Sequence, residues 1–344
     1  MVFITSRDVG ATGFGLMSLT PPFGNPVPRE QAFEAMNAAL ETGATFWNGG
    51  HFYGTPENNS LHLLRDYFTK YPENASKVVL SIKSGLTEQK TPDGSAGFIN
   101  QCVSNCLEIL PPSLKKIDIF QCARVDPNVP IEDTMRTLVG LVDAGKFGSI
   151  GLSEVGVETI RRASKITPIA AVEVEFSLFE TGILQNGVAS VCAELDIPIV
   201  AYSPLGRGVL TGEVLDAGAL PSDSVLRRMD RFQGDNLEQN FRLIQELHRL
   251  SLEFKPYTMP NIALSWLRVQ SQRKGLPQIL PIAGTSKKAN VGANALHVEL
   301  SEDDMVRIDR LLQENKVVGP RSYAGQPYTV IRMKQSSYLP GFCD

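Results

Sequence analysis

Two side chains with acid–base chemistry follow one another closely along the chain: Tyr53, in the stretch WNGGHFYG (residues 47–54), and Lys83, at the end of the apolar run VVLSIK (78–83). A phenol in water has a pKa near 10 and is a poor acid at neutral pH. A partly buried ammonium beside it favours the phenolate and draws its pKa down by roughly one to three units. That brings the hydroxyl towards the range useful for general acid catalysis. Read alone, a Tyr-Gly turn and a strand-end lysine are common, and a plain packing role stays open.

The elements that would carry these residues follow a regular beat. Short β-branched or apolar runs at 13–19, 44–48, 78–83, 117–122, 149–153, 170–176, 197–202 and 278–282 alternate with amphipathic segments. The latter fall at 29–40, 58–70, 96–110, 131–144, 157–164, 186–195, 237–254, 260–268 and 301–314. Short apolar strands, each followed by a helix, call for a parallel sheet buried on both faces. Eight such units predict an α/β fold closed as a (β/α)8 TIM barrel. The reading is a single domain over residues 1–344, with a long loop at 205–236 and a C-terminal tail at 316–344. A doubly wound dinucleotide fold fits poorly. Its glycine fingerprint is absent, since residues 10–15 read GATGFG, and Asn48 stands where an acid would hold ribose.

In such a barrel, the residues that follow the strands gather on one rim. Asn48 and Tyr53 follow the second strand and Lys83 ends the third. Ala123 and Arg124 end the fourth, and Ser153 and Glu154 the fifth. Glu173 lies in the sixth, Tyr202, Ser203 and Pro204 end the seventh, and Gly284, Thr285 and Ser286 follow the eighth. The loop after the seventh strand then reads as a cover for a cofactor or substrate. Phe23, Trp47 and Phe52 are candidates for an aromatic substrate wall or for packing. Arg124 and Asp126 read as an ion-paired turn.

Composition narrows the classes. A net charge of −4 and a pI near 5.7 give no reason to expect nucleic acid or an anionic membrane as partner. No apolar run has the length of a membrane span. Five cysteines without a CxxC pair argue against a disulfide framework or a zinc site, and the four histidines show no ligand spacing, so no metal is expected. The ends, MVFITSRD and LPGFCD, read as free of targeting signals, which makes a cytoplasmic location the expectation. Nothing in the sequence sets an oligomeric state.

Taken together, these residues resemble the aldo-keto reductase superfamily over nearly the whole chain. The family's strand-two pattern D-T-A-x-x-Y-G aligns with Asn48-Gly-Gly-His-Phe-Tyr53-Gly54, and its strand-three lysine with Lys83. LSE at 152–154, AYSPLGRGVLTG at 201–212 and LPIAGTSKKANVGAN at 280–294 look like its cofactor segments. NGGHFYG, CARVDP and AAVEVEFSLF are most like the fungal pyridoxal reductase branch. The resemblance implies NADP(H) as cofactor, a small-molecule carbonyl as substrate, and reduction of an aldehyde such as pyridoxal to its alcohol. Tyr53 would be the proton donor, assisted by Lys83. Ser153, Glu154 and Glu173 would meet the carboxamide, and Tyr202 would stack on the nicotinamide. Ser203, Pro204, Leu205, Gly206, Arg207 and Gly208 would line the cofactor. Gly284, Thr285, Ser286, Lys287, Lys288 and Asn294 would hold its adenosine end, although Asn290 replaces the family's arginine.

Two departures stand out. Asn48 replaces an aspartate, which is expected to leave Lys83 a less compensated cation tethered by a neutral amide. Ala123 replaces a histidine donor, whose place water or His51 could take, because strand alternation should turn Arg124 away. Potassium-channel β subunits share this fold and also lack that histidine. A nicotinamide-binding sensor with little turnover is therefore the alternative.

Overall fold

The computed structural model describes residues 2–21, 26–220 and 224–321. Its centre is a closed barrel of eight parallel strands. In chain order these are β1 (Gly13–Gly15), β2 (Phe46–Gly50), β3 (Val79–Ser84), β4 (Ile119–Cys122), β5 (Ser149–Ser153), β6 (Val172–Glu175), β7 (Ile199–Tyr202) and β8 (Ile279–Ala283). Around them run α1 (Arg29–Glu41), α2 (Ser60–Lys70), α3 (Ala96–Ile109), α4 (Ile131–Asp143), α5 (Val157–Ser164), α6 (Val188–Glu194), α7 (Gly234–Ser251), α8 (Met259–Gln270), α9 (Lys288–Ala295) and α10 (Glu302–Glu314). The predicted (β/α)8 barrel is the observed one.

Strand alternation sorts side chains into two cores. Outward residues such as Trp47, Leu80, Phe120, Val172 and Ile199 join the helices in the larger cluster. Inward residues Phe46, Val79, Ile119, Ala171, Val200 and Leu280 form a separate apolar layer inside the barrel. The N-terminal hairpin, Phe3–Ile4 paired with Arg7–Asp8, seals that layer through Val2, Ile4 and Val9. Two residues further along β2, β3, β4 and β6 the inward positions turn polar: Asn48, Ser81, Gln121 and Glu173, all buried. The barrel thus has a dry floor and a polar ceiling.

Boundaries moved in physically readable ways. β1 is shorter than predicted, because Leu19 N–H turns back onto the Leu16 carbonyl at 3.0 Å. The α2 pattern begins after Asn59, whose buried side chain accepts from Leu61 N–H (2.9 Å) and His62 N–H (3.3 Å). The loop at 205–236 holds short 3-10 turns, and α7 begins within it at Gly234. Among the described residues no helix is long and apolar enough to cross a membrane. Phe23 and residues 322–344 of the tail lie outside the described residues.

The Asn59 cap starts the helix that follows the Tyr53 turn. Asn59→Ala is expected to lower the unfolding free energy by about 1 kcal/mol. Urea unfolding checks this, and an unchanged midpoint would show that the cap contributes nothing.

Candidate active site

The Tyr53 turn is built by its glycines. Tyr53 N–H donates to the Gly50 carbonyl (3.1 Å), and Ser60 Oγ both accepts from Gly50 N–H and donates to the Gly50 carbonyl. A Cβ on Gly50 would lie 3.2 Å from three atoms of the Tyr53 ring, so the ring rests on bare backbone there. Gly54 has φ +111°, and a Cβ on it would lie 2.3 Å from the Asn58 carbonyl. That pairing of glycine need with ring placement is why the stretch reads as it does.

Lys83 arrives from β3, where it is in register with Gly50, and its carbonyl accepts from His51 N–H (2.8 Å). The Lys83 ammonium lies over the Tyr53 ring, 5.2 Å from its centroid, and 5.7 Å from the centroid of Tyr202. The expected tyrosine–lysine contact is present. Its electrostatics differ from expectation. Burial raises the Tyr53 pKa above the usual phenol value, and Glu173 adds to that. The opposing pull of Lys83 and Arg124 does not cancel the rise. Tyr53 therefore holds its proton firmly at neutral pH.

The second difference concerns charge. Lys83 is not left poorly compensated. Its ammonium donates to Glu173 Oε1, while Glu173 Oε2 accepts from Asn48 Nδ2 (2.7 Å) and Gln121 Nε2 (2.6 Å). Burial opposes the lysine charge, but Glu173 and Tyr53 overcome it and raise its pKa above the usual lysine value. Asn48 binds the carboxylate that binds the lysine. Glu173, expected at a carboxamide, has both oxygens engaged inside the barrel.

Around the mouth, Ser153 is buried at the end of β5, and Glu154 follows in the left-handed region at φ 52°. Glu154 Oε1 accepts from Glu175 N–H (3.0 Å), and its Oε2 takes Arg321. Glu175 also pairs with Arg207 (3.0 Å) and Arg321 (3.6 Å). Burial would raise the Glu175 pKa, but Arg207 and then Arg321 outweigh it and hold the pKa below the usual carboxylate value. Tyr202, between this cluster and Lys83, is pushed well above the usual phenol value by burial and then by Glu154 and Glu175. Ser203 and Arg207 also adopt left-handed backbone, with Gly206 and Gly208 beside them, in the turn after β7 that runs through Pro204 and Leu205.

On the far side, Gly284 packs against β1, and a Cβ there would meet the Gly15 carbonyl at 2.7 Å. Thr285 and Ser286 are half-buried, Lys287 and Lys288 are exposed at the start of α9, and Asn294 is buried on that helix. The nearby Ser18 Oγ is buried with no hydrogen-bond partner among the described residues. Hydroxyls, helix-start amides and two ammonium groups on one rim form a donor set that suits phosphate. These residues fit the adenosine end of NADP(H).

Ala123 is buried at the end of β4. His51 is half-buried, and burial lowers its pKa, with His62 and Lys90 adding to the effect. Its Nδ1 lies 3.5 Å from Ser84 Oγ. Arg124 donates to the Ala123 carbonyl, and its charge favours the ionised forms of Tyr53 and Tyr202. Asp126 accepts from the Gly94 and Asn128 amides (3.0 and 2.8 Å). Trp47 faces the helices, packed on Tyr67 and Phe68, and is no part of a mouth; Phe52 stands edge-on to Tyr53 with ring centroids 5.0 Å apart. Sequence reasoning passed over Gln121, Glu175, Arg321 and Ser18. The alternating glutamates of AVEVEF put Glu175 on the face of Glu173, a signal that was there to read.

The ionic cluster yields a pH prediction. Because the folded pKa of Glu175 lies below its usual value of 4.5, its stabilisation is complete above that value and is lost as pH falls through the folded pKa. The unfolding free-energy difference between wild type and Glu175→Gln is expected to stay constant above about pH 5 and shrink below about pH 4. A difference that stays flat down to acid unfolding would contradict it.

Comparison with known proteins places this geometry. The Aldo/keto reductase family model matches residues 11–313. The chain is 42% identical over 331 residues to probable pyridoxal reductase 2 of Schizosaccharomyces pombe (strain 972 / ATCC 24843), covering 93% of this chain and 97% of that protein. It is 34% identical to probable aldo-keto reductase 1 of Glycine max, with 92% and 90% covered. The solved glycerol dehydrogenase of Gluconobacter oxydans superposes with a TM-score of 0.76 at 20% identity, over 92% of this chain and 96% of that one.

Proposed function

The chain belongs to the aldo/keto reductase family of oxidoreductases, and from that premise we propose that it reduces an aromatic aldehyde, pyridoxal or one of similar shape, to the alcohol with NADPH. The observation that carries this reading is the buried Lys83 ammonium 5.2 Å from the ring centroid of buried Tyr53, at the open end of the barrel. When bound, NADPH supplies the hydride that adds to the carbonyl carbon. Tyr53 Oη gives its proton to the carbonyl oxygen, and the Lys83 ammonium stabilises the phenolate left behind. Burial keeps the proton on Tyr53 until an oxygen arrives to take it. The raised pKa leaves the donor fully protonated but a weaker acid than the sequence suggested, so the transfer depends on negative charge developing on the carbonyl oxygen.

Support for the cofactor comes from the rim. Lys287 and Lys288 suit the extra phosphate of NADPH, Thr285, Ser286, Ser18 and Asn294 suit its adenosine side, and Tyr202 offers a ring face to the nicotinamide. Ser153 and Glu154 suit the carboxamide, with Glu154 exchanging Arg321 for it. Support for pyridoxal comes from the S. pombe relative and from the Phe52 ring beside Tyr53. Ala123 favours a second reading, a nicotinamide-binding sensor without turnover.

Following the near-ultraviolet band of NADPH with pyridoxal or a nitrobenzaldehyde separates the two. Turnover is expected in wild type. Tyr53→Phe is expected to lower kcat/KM by at least about 100-fold with NADPH affinity unchanged by calorimetry. Tight NADPH binding without turnover on either aldehyde identifies the sensor. The double variant Lys287→Ala/Lys288→Ala is expected to weaken NADPH by about tenfold or more and leave NADH unchanged. Equal loss for both cofactors would remove the lysines from the phosphate site.

A further inference from the structure

The polar ceiling of the barrel converges on one carboxylate. Glu173 comes from β6, in register with Ser153 and Val200, and points inward. Its Oε1 takes the Lys83 ammonium from β3 and its Oε2 takes the amides of Asn48 from β2 and Gln121 from β4. The Gln121 amide nitrogen also donates to Ser81 Oγ (3.1 Å). Donors from three other strands leave the carboxylate one position. Both residues of the ion pair are buried, and an ammonium there without an anion would lose its proton.

We propose that Glu173 is a positioning residue for the reductase chemistry, the buried counter-charge that keeps Lys83 protonated and aimed at the Tyr53 phenol. The neutrality of Asn48 is the complement of this arrangement: an aspartate there would face Glu173 carboxylate to carboxylate across 2.7 Å. Moving the single negative charge from position 48 to position 173 exchanges which of two touching side chains is acid and which is amide. The charged and titratable groups around the pair are Tyr53, from the turn after β2, Tyr202 from β7, and Arg124 after β4, which acts on both tyrosines. Glu154, Glu175 and Arg321 lie beyond Tyr202. Asn48, Gln121 and Ser81 are neutral.

The inference rests on the reductase reading of Tyr53, but one of its measurements does not require turnover. Tyr53 and Lys83 titrate as a coupled pair, so the quantity to follow is the pH at which the pair loses its first proton. Removing an adjacent anion makes that loss easier, whichever residue gives the proton up. In Glu173→Gln the first proton is expected to leave at a pH at least about one unit lower than in wild type. Carbon-13 NMR of labelled tyrosine Cζ and lysine Cε reads it, with assignment by Tyr53→Phe and Lys83→Met. The limb on which reduction fades with rising pH is expected to move down with it, at unchanged NADPH affinity. The exchange variant Asn48→Asp/Glu173→Gln restores one carboxylate and is expected to return both readings to wild-type values. A folded Glu173→Gln with an unshifted titration overturns the proposal. So does an exchange variant that fails to fold or titrates like Glu173→Gln. If Glu173→Gln alone does not fold, a wild-type titration in the exchange variant supports it. Shifted NMR titrations without turnover in wild type sink the reductase reading and leave the counter-charge standing.

Discussion

A lysine ammonium inside a barrel needs an anion, and much of the site's arrangement follows from meeting that need. Lys83 and Glu173 are both buried, in a region where an unpaired charge would be driven to neutrality. Taking either partner away from such a pair costs roughly 3–5 kcal/mol, because the other is left uncompensated. Asn48 and Gln121 complete the hydrogen bonding of the carboxylate, and Ser81 accepts from Gln121. The floor below them is apolar, and a low local dielectric strengthens the interaction.

Only a closed barrel brings these partners together. Lys83 and Glu173 lie 90 residues apart in the chain, on β3 and β6, and they meet because inward side chains of different strands share one lumen. A second ionic cluster lies beside Tyr202, where Glu154 and Glu175 pair with Arg321 and Glu175 also pairs with Arg207. Tyr202 and Tyr53 flank the ammonium, and burial holds both phenols above their usual pKa. The mouth therefore presents protonated hydroxyls over a neutralised ion pair, a surface suited to giving a proton to an oxygen.

Much of this was legible in the sequence, for reasons that also explain what was not. Strand period and helix spacing are local, so the eight-strand barrel and the rim positions of Tyr53, Lys83, Ser153 and Tyr202 could be read directly. Asn48 and Ala123 were visible as departures, but their consequences were not. Alternation tells which face a residue takes and says nothing of which distant residue it meets. The partner of Lys83 was therefore sought at position 48, when it stands at 173. Arg321 was hidden for the same reason, since it reaches Glu154 from beyond α10. The Tyr53 pKa was misjudged because the sequence shows the neighbouring charge but hides the burial that opposes it. Trp47 shows the converse: an aromatic at a strand end that alternation turns outward into the helix layer.

The central claim is that a charged lysine and an ionised glutamate lie together beneath a protonated phenol. Neutron diffraction on deuterium-exchanged crystals reads those protons directly. The account predicts three deuterons on Lys83 Nζ, none on either oxygen of Glu173, and one on Tyr53 Oη. A deuteron on Glu173 facing a neutral Lys83 amine would contradict it.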